Sequence, residues 1–396
     1  MRKILICRAG VLPFSETFIR DQMRAYERWH PVLVGTHRTQ PCLAMDGMDV
    51  RILHQEHPTL WSRMFKRLFR EIYVAPPGVV RKLRNEAAEL VHIHFGTDAT
   101  DYWPSVRQLN LPVLVTLHGY DITVRKDWWE SSGAPLATRN YPQRLLQMGR
   151  QPSVHFIAVS EAIRRRAIDY GLPADRISVC YTGVDLSRYR VSGLPLTQRR
   201  RRILFVGRLV EKKGGECLIR AFAKVRQSVE DAELAIVGEG PLRAQLEALA
   251  HELSVPVEFT GSRSSDAVKE QIDAARVLCL PSITAANGDA EGFGMVILEA
   301  QASGVPVVTS ALGGATEGIV EGVTGMSFAE GDVDGLSERL TRVLSDDALA
   351  ASMSAAAPGF VASRFDIRNC TRTLEDLYDR MAGTTVQSTR SMQVAL

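Results

Sequence analysis

Two carboxylates eight positions apart, Glu291 and Glu299, bracket a run that reads Gly-Phe-Gly-Met-Val-Ile-Leu and follows an apolar stretch ending near Pro281. Gly292 and Gly294 let the backbone come close to a ligand, and residues 295–302 then continue as a helix. The free N–H groups at such a helix start can hold a diphosphate, so Gly294, Met295 and Val296 are candidate phosphate contacts. Glu299, about one turn inside, can reach ribose hydroxyls, and Glu291, in the loop, can reach sugar hydroxyls. The plainer alternative is that Glu291 is a solvated loop acid and Glu299 a surface acid near a helix start, where acids are favoured in any case.

A second group supplies positive charge. Residues 205–214 form a strand end and a turn carrying Arg208, Lys212 and Lys213 between Gly207 and Gly214. A guanidinium and an ammonium at a strand's carboxyl end can neutralise a leaving diphosphate. The lysines alone would read as a solvated basic loop; the two glycines argue for a tight turn aimed at a ligand. Gly238-Glu-Gly240-Pro241 follows another strand, but Arg243 stands where a dinucleotide fingerprint needs its third glycine. No G-x-x-x-x-G-K-[ST] run occurs, so a P-loop ATPase is not supported.

In the first half, His118 and Asp121 end the apolar run 113–117. His118 can donate a hydrogen bond to, or polarise, a group that develops charge, although a lone histidine at a strand end is more often structural. His92 and His94 alternate with apolar residues and share one strand face, a metal-like pattern that lacks clear third and fourth ligands. Asp332-Val-Asp334 has the D-x-D form of a divalent-cation motif, yet it precedes a helix start, and N-capping explains it better.

The elements that must position these residues are short apolar runs alternating with helical patterns. In the first half they lie at 3–7, 32–35, 91–95, 113–117, 156–159 and 177–181; in the second at 203–206, 234–237, 257–260, 277–280 and 305–309, with a helix at 241–252. Continuously apolar strands suit parallel sheets covered on both faces. The chain is therefore expected to be α/β, with two Rossmann-like doubly wound domains whose strand carboxyl ends face a cleft. The expected limits are 1–190, a linker at 191–202, a second domain at 203–366, a helix at 367–381 that crosses back, and a loose tail at 382–396.

At 396 residues the chain can bury two cores, and a net charge of +3 spread over that length argues against nucleic acid as partner. The six cysteines are scattered singly, without a C-x-x-C pair, and Cys7, Cys180 and Cys279 sit within apolar runs as core residues. The first ten residues lack a signal-peptide pattern, and no stretch approaches the roughly 18 to 20 apolar residues that span a bilayer. A reducing, cytoplasmic location is the expectation.

Taken in order and spacing, residues 205–214, 238–242, 291–299 and Gly313-Gly-Ala-Thr-Glu317 resemble the retaining glycosyltransferases of family 4, and the likeness extends to Val159-Ser160-Glu161 and Tyr181-Thr-Gly-Val-Asp185. Pro13-Phe-Ser-Glu-Thr-Phe-Ile19 looks like the branch that builds bacterial exopolysaccharides, including colanic acid-type enzymes. The resemblance implies the GT-B fold, an amino-terminal acceptor domain and a carboxyl-terminal domain for a nucleoside diphosphate sugar. It implies a hexosyltransferase needing neither metal nor resident cofactor, with a saccharide or lipid-linked saccharide as acceptor and UDP-sugars favoured over GDP-sugars as donor. By resemblance Arg208 and Lys213 bind the diphosphate, Glu299 the ribose, and Glu291 the sugar hydroxyls. Gly294, Met295 and Val296 offer backbone contacts, His118 is the sugar-side histidine, and Asp121 follows it at the usual spacing. Gly238 and Arg263 lie on the donor side, the latter near the base. The first loop, 8–15, lacks the family's paired glycines, and Ser15, Glu16 and Thr17 are the acceptor-side candidates.

Residues 61–84 mix Trp, Phe, Met and Leu with Arg63, Lys66, Arg67, Arg70, Arg81, Lys82 and Arg84. A cationic amphipathic helix of this kind can lie on an anionic membrane, which makes peripheral attachment an expectation; packing on its own sheet is the competing one. Two other activities fit such a fold: a 2-epimerase acting on UDP-GlcNAc without acceptor, and a non-catalytic nucleotide-sugar binding protein.

Overall fold

The structure, a computed structural model, describes residues 1–13, 16–39, 42–53, 68–69, 72–131 and 138–394. It divides into two compact units: Met1–Thr182 with Arg368–Leu396, and Gly183–Ile367.

The first unit is built on a parallel sheet of seven strands, β1 (Arg2–Val11), β2 (Trp29–Arg38), β3 (Asp49–Ile52), β4 (Leu90–His94), β5 (Val113–Leu117), β6 (Val154–Ala158) and β7 (Ile177–Val179), in the order β3-β2-β1-β4-β5-β6-β7. Its central strands β4 and β5 are buried at every position, which is why they are continuously apolar apart from His92, His94 and Thr116. The last helix, Ile367–Val394, belongs to this unit: Leu374, Leu377, Tyr378 and Ala382 join Ile4, Ile6, Trp29 and Leu33 in one core. Glu375, 1% exposed, accepts the backbone N–H groups of Glu27, Arg28 and Trp29 through one oxygen, which fixes the helix against the start of β2. The segment expected to be a loose tail after residue 381 continues this helix to Val394.

The second unit carries six parallel strands, β8 (Arg202–Val206), β9 (Glu233–Val237), β10 (Val257–Gly261), β11 (Val277–Leu280), β12 (Val307–Ser310) and β13 (Gly325–Phe328), ordered β10-β9-β8-β11-β12-β13. Its core gathers Ile203, Phe205, Leu218, Phe222, Ile236 and Leu340 among others.

The chain passes from the first unit to the second at Thr182, eight residues before the expected limit at 190, and residues 191–202 are not a free linker. Arg199, 8% exposed, donates to the carbonyls of Leu194, Ser192 and Ala275, and the buried Arg276 donates to that of Leu196. These basic residues turn inward to satisfy loop carbonyls, so the segment is packed into the second unit.

The expected amphipathic helix over 61–84 falls in part outside the described residues, at 61–67 and 70–71. Its described part is not one continuous helix: residues 72–78 are non-helical around Pro76 and Pro77, and a helix resumes only at Val79–Asn85, carrying Arg81, Lys82 and Arg84. A double proline removes two donors and pushes its predecessor out of the helical region.

Candidate active site

In the second unit the strand order reverses between β8 and β11: β9 and β10 run out to one side, β12 and β13 to the other. At such a point the loops leaving the carboxyl ends diverge and open a crevice. The two loops that leave it here are the turn Gly207–Gly214 and the segment 281–294. They are joined by side chains of opposite charge. Lys213 Nζ donates to Glu291 Oε2 at 2.5 Å, Ser282 Oγ donates to the same oxygen at 3.1 Å, and Lys212 Nζ donates to Asp289 Oδ1 at 2.9 Å. Backbone N–H groups lace the same segments, that of Ile283 donating to the Lys212 carbonyl and that of Ala286 to the Glu211 carboxylate at Oε1.

Glu291 is only 8% exposed. Burial pushes its carboxyl up, but the charges of Lys213 and Lys212, with hydrogen bonds from Lys213 and Ser282, outweigh it and hold the group below the ordinary carboxylate range. It is thus an ionised acid with its second oxygen open to another donor, the state in which a carboxylate binds hydroxyls.

The helix Met295–Ala302 begins at Gly294, whose φ of +86° and whose approach to Leu280, 2.6 Å from where a Cβ would sit, leave room for glycine alone. Among the described residues no side chain caps this helix start, and no acid occupies its first turn, so the N–H groups of Met295 and Val296 remain suited to an anion. Glu299 lies on the same helix, half-buried. Arg208 is exposed on the turn after β8, and among the described residues its guanidinium has no ion pair. Gly238 has a structural reason of its own: at φ +143° a Cβ would stand 1.9 Å from the Gly207 carbonyl oxygen, so it lets the loop after β9 pass over the β8 turn. Arg263 is exposed after β10, beyond β9 from this pair of loops. The D-x-D residue Asp332 caps the helix Val333–Ser345 by accepting the Gly335 N–H.

In the first unit His118 follows β5 and lies beside His94, at the end of the neighbouring β4, with His94 Nδ1 and His118 Nε2 3.0 Å apart. Phe18 and Phe95 flank its ring, at centroid distances of 5.1 and 4.4 Å. Burial, then the Arg8 charge and His92, lower the His118 pKa to about 3, so the imidazole is neutral at physiological pH. Asp121 does not present its carboxylate outward as a catalytic acid would. It is fully buried and accepts the backbone N–H groups of Gly96, His118 and Gly119, which makes it the clamp that shapes the His118 loop. Those three bonds oppose the burial that lifts its pKa to about 6. His92 is not a metal ligand in waiting either: its ring nitrogens are taken by the Tyr378 hydroxyl and Thr116 Oγ1, each at 2.6 Å.

Among the acceptor-side candidates, Ser15 lies outside the described residues. Thr17 opens the helix Thr17–Arg24 and is half-buried. Glu16 is 6% exposed and committed to Arg8, which it engages through both oxygens at 2.9 and 2.7 Å. Arg8 also pairs with Asp98, whose Oδ2 accepts the Ala9 N–H, so Glu16 belongs to a buried charged network under the first loop and is not free to meet a ligand. The sequence reading missed Arg8, Asp98, Ser282 and Asp289. Arg8, Asp98 and Ser282 each stand within a few residues of the end of an apolar run, which does not name a partner, and Asp289, nine residues past β11, carries no signal of its own.

Two family models match the chain: Glycosyltransferase Family 4 over residues 15–188 and Glycosyl transferases group 1 over residues 192–360. The amylovoran biosynthesis glycosyltransferase AmsK of Erwinia amylovora is 31% identical over 78% of this chain and 74% of its own. A protein of Mycolicibacterium smegmatis described as a GDP-mannose-dependent alpha-(1-6)-phosphatidylinositol monomannoside mannosyltransferase is 29% identical over 88% of this chain and 89% of its own. Among solved structures, Anabaena HepE in complex with UDP-glucose superposes with a TM-score of 0.77, covering 96% of this chain and 100% of that one at 21% identity. The two parallel-sheet units are those of the GT-B fold, and the chain belongs to the family 4 glycosyltransferases.

Proposed function

We propose that this chain transfers a hexose, with retention of its anomeric configuration, from a nucleoside diphosphate sugar to a saccharide or polyprenyl-diphosphate-linked saccharide during bacterial polysaccharide assembly. The observation that carries the reading is the Lys213–Glu291 pair at the strand-order switch of the second unit, next to an uncapped helix start. It sets a cation and helix N–H groups for a diphosphate beside an ionised carboxylate for hydroxyls.

In this reading Arg208 and Lys213 hold the diphosphate together with the N–H groups of Met295 and Val296. Glu299 takes the ribose, Glu291 the hydroxyls of the sugar, and Arg263 stands near the base. His118, neutral by burial, is a hydrogen-bond partner for the sugar and not a proton-transfer group. The acceptor oxygen attacks the anomeric carbon on the face from which the diphosphate leaves. Its proton passes to the departing β-phosphate oxygen, so the forming and breaking bonds balance without a protein base. The cations and the helix start supply the stabilisation of the leaving group, and no metal is required. A UDP-hexose is the donor we put first. The relative named for GDP-mannose makes GDP-sugars the necessary comparison. We place the enzyme in the cytoplasm, peripheral to the inner membrane face where a lipid-linked acceptor is presented; absence of binding to anionic vesicles at low salt would remove the membrane part alone.

The test is donor turnover in EDTA with a panel of UDP-, GDP-, ADP- and TDP-sugars, reading released nucleoside diphosphate. Release from one donor is expected. Silence across the panel, together with no binding of any donor by calorimetry, would refute the reading.

A further inference from the structure

His94 is a polar ring with nowhere to go. It is 2% exposed; its Nδ1 lies 3.0 Å from His118 Nε2, and its Nε2 has no hydrogen-bond partner among the described residues. Burial lowers the pKa of both rings far enough that both are neutral at physiological pH. A 3.0 Å contact between two neutral imidazoles requires one nitrogen to donate and the other to accept.

Only two arrangements exist. If His118 donates from Nε2, His94 must carry its own proton on Nε2, an N–H sealed in the interior without an acceptor. If His94 donates from Nδ1, its sealed Nε2 is a bare lone pair. Orphaned buried N–H groups are the rarer of the two defects. The second arrangement leaves the proton of His118 on Nδ1, the nitrogen that is not sealed, on a ring held in orientation by Phe18 and Phe95.

We propose that His94 is a positioning residue that fixes His118 as its Nδ1–H tautomer, so that His118 offers a hydrogen-bond donor, and not an acceptor, to an oxygen of the bound sugar nucleotide. The use made of that donor rests on the glycosyl-transfer reading; the tautomer does not.

The test is long-range proton–nitrogen correlation NMR on the full chain with 15N-labelled histidine, assigned among the nine histidines with single variants. Wild type should show His118 protonated at Nδ1 and bare at Nε2. His94→Phe removes the donor and should move His118 toward the Nε2–H form, with kcat for donor turnover falling on the order of 100-fold, as when a positioned donor is lost, and KM changing little. His94→Asn, whose side-chain amide nitrogen can stand where Nδ1 stood, should restore the tautomer and most of the turnover. A wild-type His118 protonated at Nε2 overturns the assignment, as does an unchanged His118 tautomer in His94→Phe. A changed tautomer with undiminished turnover overturns the donor role. Absence of turnover in wild type with His118 protonated at Nδ1 would support the assignment and count against the transferase reading instead.

Discussion

Replacing Lys213 by Met removes the cation that keeps Glu291 ionised while preserving most of the side chain's volume. The side chains of the pair are 17% and 10% exposed, so Glu291 would be left as a nearly buried carboxylate. Breaking a fully buried pair costs about 3–5 kcal/mol. Here the Lys212 charge and the Ser282 hydroxyl remain, and the pair is not completely sealed, so about 2 kcal/mol is expected near pH 7.5. For a unit of this size that corresponds to a melting point lower by about 4–8 °C.

The sign of the pH dependence is the sharper test. In wild type the folded pKa of Glu291 lies below its unfolded value, so its contribution is present above the unfolded pKa and is lost as pH falls through the folded one. Without Lys213, burial dominates and the folded pKa rises above the unfolded value. Folding then favours the protonated acid, and the deficit relative to wild type grows as pH rises. Each unit of pKa separation is worth about 1.4 kcal/mol, so the gap should shrink to half or less at about pH 5. Scanning calorimetry of wild type, Lys213→Met, Glu291→Gln and the double variant reads this directly, and the double variant should be less destabilised than the two single changes summed. An equal loss at both pH values, or strict additivity, would refute the reasoning.

Arg208→Ala should leave the melting point within the roughly ±0.5 kcal/mol of an ordinary surface change while kcat/KM for the donor falls on the order of 100-fold; kinetics alongside a melt checks both halves. Gly238→Ala places a methyl group 1.9 Å from the Gly207 carbonyl oxygen, and a loss of about 3 kcal/mol or more should appear as a melting point lower by at least about 5 °C. Glu375→Ala strands the N–H groups of residues 27–29 at a cost of about 2–3 kcal/mol, with those amides losing protection in hydrogen exchange. Glu375→Gln, which keeps a carbonyl acceptor, should retain most of that protection.

Strands buried on both faces were the easiest part of the fold to read: the runs 113–117 and 277–280 coincide with β5 and β11 residue for residue. The strands that escaped, β3 and β13, lie at sheet edges and lack a continuous apolar run: β3 reads Asp-Val-Arg-Ile without a fully buried residue, and β13 reads Gly-Met-Ser-Phe. The types and places of Lys213, Glu291, Gly294 and His118 were legible because each follows an apolar run or opens a helix. Their pairings were not, because Lys213 meets Glu291 across 78 positions and His94 meets His118 across 24. The same limit misdirected Glu16 and Asp121. An acid in a loop looks outward until an arginine eight residues upstream, or three backbone N–H groups, turns it in. It also misdirected the 191–202 segment, whose basic and glycine-containing composition suits a linker but whose Arg199 ties down three carbonyls.

The central claim is that the second unit recognises a diphosphate through Arg208, Lys213 and the start of the helix Met295–Ala302. Calorimetric titration with UDP and GDP, each against its parent nucleoside, on wild type and Arg208→Ala, tests it most directly. The account predicts that one nucleoside diphosphate binds wild type at least about tenfold more tightly than its nucleoside, as charge-assisted phosphate contacts require, and that Arg208→Ala narrows the difference. Equal binding of nucleoside and nucleoside diphosphate to wild type would contradict it.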